Sequence, residues 1–153
     1  MSKRIKSRKR ETVPNIRMWD DPVLKEVCEP VKQNEDVTSI VRGMIQALNK
    51  AKNGVGLAAP QIGVTKRIIV ILANGFPRVM INPEIMFKSE ESQTRQEGCL
   101  SYPGRFVDVE RSCRIECQFE NEYRLDSRFF FGFEARIIQH ETDHLDGICK
   151  VAP

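Results

Sequence analysis

Only two histidines occur in the 153 residues, and they stand four apart, His140 and His144 in the run QHETDHLDG (139–147). On a helix, positions i and i+4 project from one face, so both imidazoles can reach a single ion. Glu141 follows the first histidine, where a carboxylate can meet a water on that ion without joining its ligands. This is the H-E-x-x-H arrangement, in which a cation makes water nucleophilic and a carboxylate moves its proton. Taken alone, so short a run also fits two surface histidines that merely share a helix. A catalytic zinc-type centre needs a third protein ligand and an open position. No further histidine exists to supply it, the nine residues after His144 hold no glutamate, and Asp146 lies too close along the helix to turn back. The third ligand must come from upstream, and Cys99 in EGCLSYPG (97–104), between Gly98 and Pro103, is the best candidate. It completes a set of two imidazoles and one thiolate with one place open. Cys113 and Cys117 share a strand face and read as small buried apolar residues. Cys28 and Cys149 have no supporting partners in the sequence. A closed structural zinc site usually has four protein ligands, and only three are legible.

Helices and strands must hold these side chains in place. Phe133, Ile137, His140, Glu141 and His144 fall along one side of a helix predicted over about 132–146. Apolar residues at Val37, Ile40, Val41, Met44, Ile45 and Leu48 keep helical spacing over three turns, with Asn34 or Asp36 as a cap and Gly54 just past the end. The segment GVGLAAPQIG (54–63) is punctuated by Gly and Pro, and strands are predicted at 67–72, 78–82, 105–110 and 113–119. The last alternates, with Cys113, Ile115, Cys117 and Phe119 on one face. A helix, several strands and a closing helix predict an α+β fold, with antiparallel sheets packed around a central helix that carries the HExxH run, and not a βαβ repeat.

Composition bounds the class. Hydrophobic residues at 41% and charged residues at 29% are those of an ordinary soluble globule with a core. The longest apolar run, Ile68–Ala73, is far too short for a membrane-spanning helix. The start MSKRIKSRKR carries the charge of a signal peptide but no apolar segment follows it. Five cysteines, an odd number without framework spacing, fit a reducing compartment, so a cytoplasmic location is expected. The net charge of +3 is a property of the tail: residues 1–10 hold six Lys and Arg and no acid, and the rest carries 18 bases against 21 acids. Residues 1–12 read as a disordered basic arm and 13–153 as one catalytic domain. The arm reads most simply as a solvated tail, and its charge also offers a way to hold ribosomal RNA.

Three segments in register, GVGLAAPQIG (54–63), EGCLSYPG (97–104) and QHETDHLDG (139–147), resemble the peptide deformylase family in its bacterial form. Weaker resemblance runs through DDPVLKEVCEPV (20–31) and VMINPEI (79–85), so that nearly all of residues 15–150 is covered. The resemblance implies removal of the formyl group, as formate, from the N-terminal formylmethionine of newly made peptides, with no membrane partner. It implies that Cys99, His140 and His144 hold one divalent ion, Fe(II) in the native enzyme, with Zn, Ni or Co able to occupy the site. Fe(II) binds less tightly than zinc on intrinsic grounds, and a thiolate site is prone to oxidation in air. By the same resemblance hydroxide formed on the metal attacks the formyl carbon, and Glu141 carries the proton to the departing nitrogen. The Gln61 amide and the Leu100 N–H then meet the oxyanion. Val55, Gly56, Gly98 and Ile137 flank the bound peptide, and Glu97 pairs with Arg111 to brace the Cys99 loop.

Two features depart from the family pattern. The chain stops at Pro153, soon after HLDG, where many bacterial members continue into a further helix that serves ribosome contact. The expectation is a short form like those encoded by bacterial viruses, acting in the host cytoplasm. Arg136, one turn before His140, stands where the family usually has an apolar residue near the methionine pocket. Either it lies at the rim with its head in water and its stem as packing, or it shifts preference beyond methionine toward acidic residues.

Overall fold

Two helices and seven strands build the described part of the chain, residues 12–122 and 124–153 of a computed structural model. The first helix, α1 (Thr38–Lys50), starts where the Asp36 carboxylate accepts the Thr38 N–H at 3.0 Å. It buries Met44, Ala47 and Leu48, the face expected from the apolar spacing. Strands β1 (Gly56–Ala58), β2 (Ile68–Ala73), β3 (Phe76–Lys88), β6 (Arg114–Glu120) and β7 (Leu125–Phe131) form one antiparallel sheet in the order β1-β2-β3-β6-β7. Strands β4 (Ser92–Cys99) and β5 (Tyr102–Ser112) form a separate two-stranded antiparallel sheet. The closing helix is α2 (Gly132–Leu145), whose sequence GFEARIIQHETDHL includes the HExxH run.

The apolar run Ile68–Ala73 is explained by two cores. Ile69 and Ile71 join the cluster beneath α2, with Met80, Ile115, Phe119, Ile137, Ile138 and Leu145. Ile68 and Val70 join the cluster around α1, with Met44, Leu48 and Leu57. A strand covered on both faces loses the polar half of its alternation, and β2 shows that effect. Strand β6 is covered on one face only: Ile115, Cys117 and Phe119 are buried, and Arg114 and Glu120 at its ends are exposed. Cys117 takes the packing role expected of it, whereas Cys113 lies just before β6 and is half-buried.

Helix α2 touches strands of both sheets, from β1 to β7 and including β5. Residues Ala135–Thr142 are all buried, a span too continuous for a one-sided surface helix. No helix among the described residues is long and apolar enough to cross a membrane. The basic arm predicted at 1–12 lies, apart from Thr12, outside the described residues.

Candidate active site

Donor atoms reach one point from three places in the fold. The β4–β5 hairpin delivers Cys99 at its tip, where Cys99 pairs with Tyr102 across a two-residue turn and the register shifts at Gly98. Helix α2 delivers His140 and His144 one turn apart, with ring centroids 5.1 Å apart. The segment after α2 delivers Cys149, and one ligand atom from each of Cys99, His140, His144 and Cys149 lies within 4.8 Å of the others. Cys99 Sγ is 3.4 Å from His144 Nε2. On a tetrahedral ion, a sulfur at about 2.3 Å and a nitrogen at about 2.0–2.1 Å would stand roughly 3.6 Å apart. The buried His144 Nδ1 and Glu141 Oε2 have no hydrogen-bond partner among the described residues. Soft sulfur and imidazole donors, converging on one point beside unsatisfied buried polar atoms, fit a divalent cation.

A buried ionic network orients these donors. His140 Nδ1 pairs with Glu97 Oε1 at 2.9 Å, which leaves Nε2 for the cluster. Arg111 grips Glu97 with two bonds of 3.0 Å, and also donates to Asp143 Oδ2 at 2.6 Å. Glu97 and Arg111 are thus paired as expected from the sequence, and Asp143 is a third member that the sequence did not reveal. Burial alone would push the Glu97 carboxyl up, but hydrogen bonds from His140 and Arg111 bring it down to about 2. Burial works against charge on His140, yet the Glu97 hydrogen bond leaves its pKa raised. Burial raises Glu141, with His140 and His144 pulling the other way. The two thiols shift each other in opposite directions: the interaction with Cys99, then that with His144, holds Cys149 down to about 4 against burial, while the interaction with Cys149 and burial drive Cys99 far up.

Arg136 corrects an expectation. Its head is not in water at a rim, since the residue is 6% exposed. Its guanidinium donates to Glu97 Oε2 at 2.6 Å, to the Val109 carbonyl at 2.8 Å and to the Gln93 carbonyl at 2.6 Å. A cation whose donors are engaged inside the fold is poorly placed to read an acidic substrate side chain. The physical reason for its burial is Glu97, whose two oxygens serve both guanidinium groups and His140.

A cavity of about 460 Å³ opens beside the donors, bordered by Val55, Gly56, Glu97, Gly98, Cys99, Leu100, Arg136, Ile137, His140 and Glu141. The residues expected to flank a peptide therefore share one wall system. Gly56 has a further constraint: a Cβ there would lie 2.7 Å from Ile137 Cγ2 and 3.0 Å from Glu141 Cγ. A Cβ at Gly98 would lie 2.8 Å from the Phe106 ring. Gln61 lies in the 3₁₀ turn Ala59–Ile62 and is buried. Its Oε1 accepts the Ala58 N–H at 2.9 Å, so its NH2 group faces Ser101 Oγ at 3.1 Å and Cys99 Sγ at 3.6 Å. The backbone bond that an ordinary loop glutamine would make is present, and it is what aims the amide.

Cys149 corrects the sequence reading more sharply, because it was given no partner there. It sits outside the three motifs and five residues past His144, and nothing in the local pattern marks it. Only the turn that ends α2 folds it back onto the donors.

Two imidazoles and a thiol beside a buried carboxylate, opening on a cavity, define a hydrolase with a divalent-cation donor set. The chain belongs to the polypeptide deformylase family, whose profile matches residues 13–152. It is 44% identical over 138 residues to the peptide deformylase of Pseudothermotoga lettingae, covering 89% of this chain and 80% of that one. It is 45% identical over 143 residues to peptide deformylase 1 of Clostridium perfringens, covering 89% and 94%. The crystal structure of peptide deformylase from Thermotoga maritima superposes with a TM-score of 0.86 at 37% identity, covering 93% of this chain and 99% of that one. A class I type b peptide deformylase from Acinetobacter baumannii with Met-Ala-Ser bound gives 0.83 at 33% identity, covering 92% and 98%.

Proposed function

We propose that this chain removes the formyl group from the N-terminal formylmethionine of newly made peptides, releasing formate and a free amine. The observation that carries the reading is the convergence of Cys99, His140 and His144 beside Glu141, whose buried Oε2 has no partner among the described residues, at the edge of a cavity. Residues 13–153 act as one catalytic unit built around α2 as its central helix.

Cys99, His140 and His144 would hold the divalent ion, Fe(II) natively, with Zn, Ni or Co as replacements. When bound, the ion supplies Lewis acidity, which eases loss of a proton from water, to a pKa of about 7 in suitable zinc sites. Glu141 accepts that proton and delivers it to the nitrogen that leaves as the C–N bond breaks. Glu141 is 5% exposed and borders the cavity, so its carboxylate meets what the cavity holds. The Gln61 NH2 group and the Leu100 N–H stabilise the oxyanion of the tetrahedral intermediate, each worth about 2.7–4 kcal/mol by analogy with other acyl-transfer enzymes. Val55, Gly56, Gly98 and Ile137 line the path of the peptide. Glu97 and Arg111 hold His140 in register with the hairpin tip. The basic residues at 3–10 give the chain a means of contact with ribosomal RNA. Formate released on mixing the metal-loaded protein with formyl-Met-Ala-Ser tests the reading, and its absence would overturn it.

A further inference from the structure

The segment after α2 is not a loose end. The Gly147 and Ile148 N–H groups donate to the His144 and Asp143 carbonyls at 3.1 and 3.0 Å, closing the helix. The Ala152 N–H returns to the Cys149 carbonyl at 3.1 Å. Arg105 Nε donates to the Val151 carbonyl at 2.5 Å, and Val151 is fully buried. Cys149 is thus fixed on both sides by backbone hydrogen bonds and a buried anchor, with its sulfur among the donor atoms of Cys99, His140 and His144. Packing would be served by any small apolar residue. Placing a second sulfur within 4.8 Å of one thiol and two imidazole nitrogens brings four donor atoms of the types a zinc site uses within reach of one ion.

We infer that Cys149 is a fourth protein ligand of the ion held by Cys99, His140 and His144. The inference rests on the metal site of the proposed function and adds a residue to it. Each thiol releases its proton to solvent on binding, so the bound ion meets two thiolates and two neutral imidazoles. Cys99, His140 and Glu141 border the cavity, whereas His144 and Cys149 do not. The second thiolate therefore does not occupy the cavity wall, and the cavity side of the donor set stays open to water or substrate. Two thiolates cancel the charge of the ion and make the donor set softer. The chain accordingly selects zinc more strongly than a set with one thiolate would, and its Lewis acidity is lower.

Co(II) tests this directly, because thiolate-to-cobalt charge-transfer absorption grows with the number of bound thiolates. Cys149→Ala is expected to lower that absorption about twofold, as two thiolates become one. It is also expected to weaken zinc binding, measured by chelator competition, by more than tenfold. Wild-type protein gives an independent readout if the variant fails to fold: iodoacetamide labelling followed by peptide mass should find Cys149 protected by zinc together with Cys99. Unchanged absorption and affinity in Cys149→Ala would overturn the inference, as would Cys149 labelling at equal rate with and without zinc. If Cys99 is protected and Cys149 is not, the three-ligand site stands and only the fourth ligand falls. If no cation binds at all, both readings fall together.

Discussion

Glu97→Gln removes one charge from the centre of the buried network and keeps its shape. Arg111 would retain Asp143 at 2.6 Å, but Arg136 would keep only the Gln93 and Val109 carbonyls, and His140 would lose its anionic partner. The structure gives the scale. Against the push of burial, His140 and Arg111 bring the Glu97 carboxyl from 4.5 to about 2, a gap worth about 3 kcal/mol at about 1.36 kcal/mol per pH unit. Breaking a buried ion pair by removing one partner costs about 3–5 kcal/mol, so the two routes agree. Loss of a partner that orients a ligating histidine lowers metal affinity by about 10–100-fold. Urea unfolding of the metal-free protein at pH 7 should therefore show Glu97→Gln destabilised by about 3 kcal/mol, and chelator competition should show the drop in affinity. A loss under about 1 kcal/mol with unchanged affinity would refute the view that this network holds the site.

Further outcomes follow from single side chains. Gln61→Ala should lower kcat on a formyl peptide by about 10²–10³-fold with little change in KM, if its amide acts on the oxyanion; steady-state kinetics check the split. Gly56→Ala forces a methyl against Ile137 Cγ2 and Glu141 Cγ, and overpacking of this kind costs about 1–3 kcal/mol, read as a fall in urea midpoint together with a loss of rate. Burial pushes the Cys117 thiol up to about 12, whereas an unfolded thiol ionises near 8.5–9. Above about pH 9 the unfolded chain has lost a proton that the fold keeps, so this contribution is full below that pH and is lost as pH rises toward 12. Unfolding titrations from pH 8 to 10.5 should show a shallower decline for Cys117→Ala than for wild type.

The sequence carried those parts of the fold whose burial is periodic. Helix α1 and strand β6 each leave a repeating trace, because one face is covered and the other is not, whereas α2, buried on all sides over Ala135–Thr142, was marked by the spacing of its two histidines. Strand β4 left none: six of its eight residues are exposed, so neither alternation nor an apolar run marks it. Strand β7, LDSRFFF, hides for a related reason, since Phe129 and Phe131 are exposed and only Phe130 between them is buried. At the site, the grouping of Cys99, His140 and His144 was legible because residue type and spacing together marked them as donors that could share one ion. Arg136 was misplaced because a basic residue is ordinarily solvated, and its buried acceptor Glu97 lies 39 positions away. Asp143 and Cys149 were missed for the same geometric reason: Arg111 and Cys99, on the β4–β5 hairpin, meet them only once that hairpin has been folded onto α2.

The most direct test of the account is formate release from formyl-Met-Ala-Ser by protein loaded without oxygen with one equivalent of Fe(II) or Ni(II), beside a Glu141→Ala variant loaded in the same way. The account predicts release that depends on the metal, stops when a chelator is added, and is abolished in Glu141→Ala although the variant still holds its ion. Equal release by Glu141→Ala, or none from wild-type protein shown to carry the ion, would contradict it.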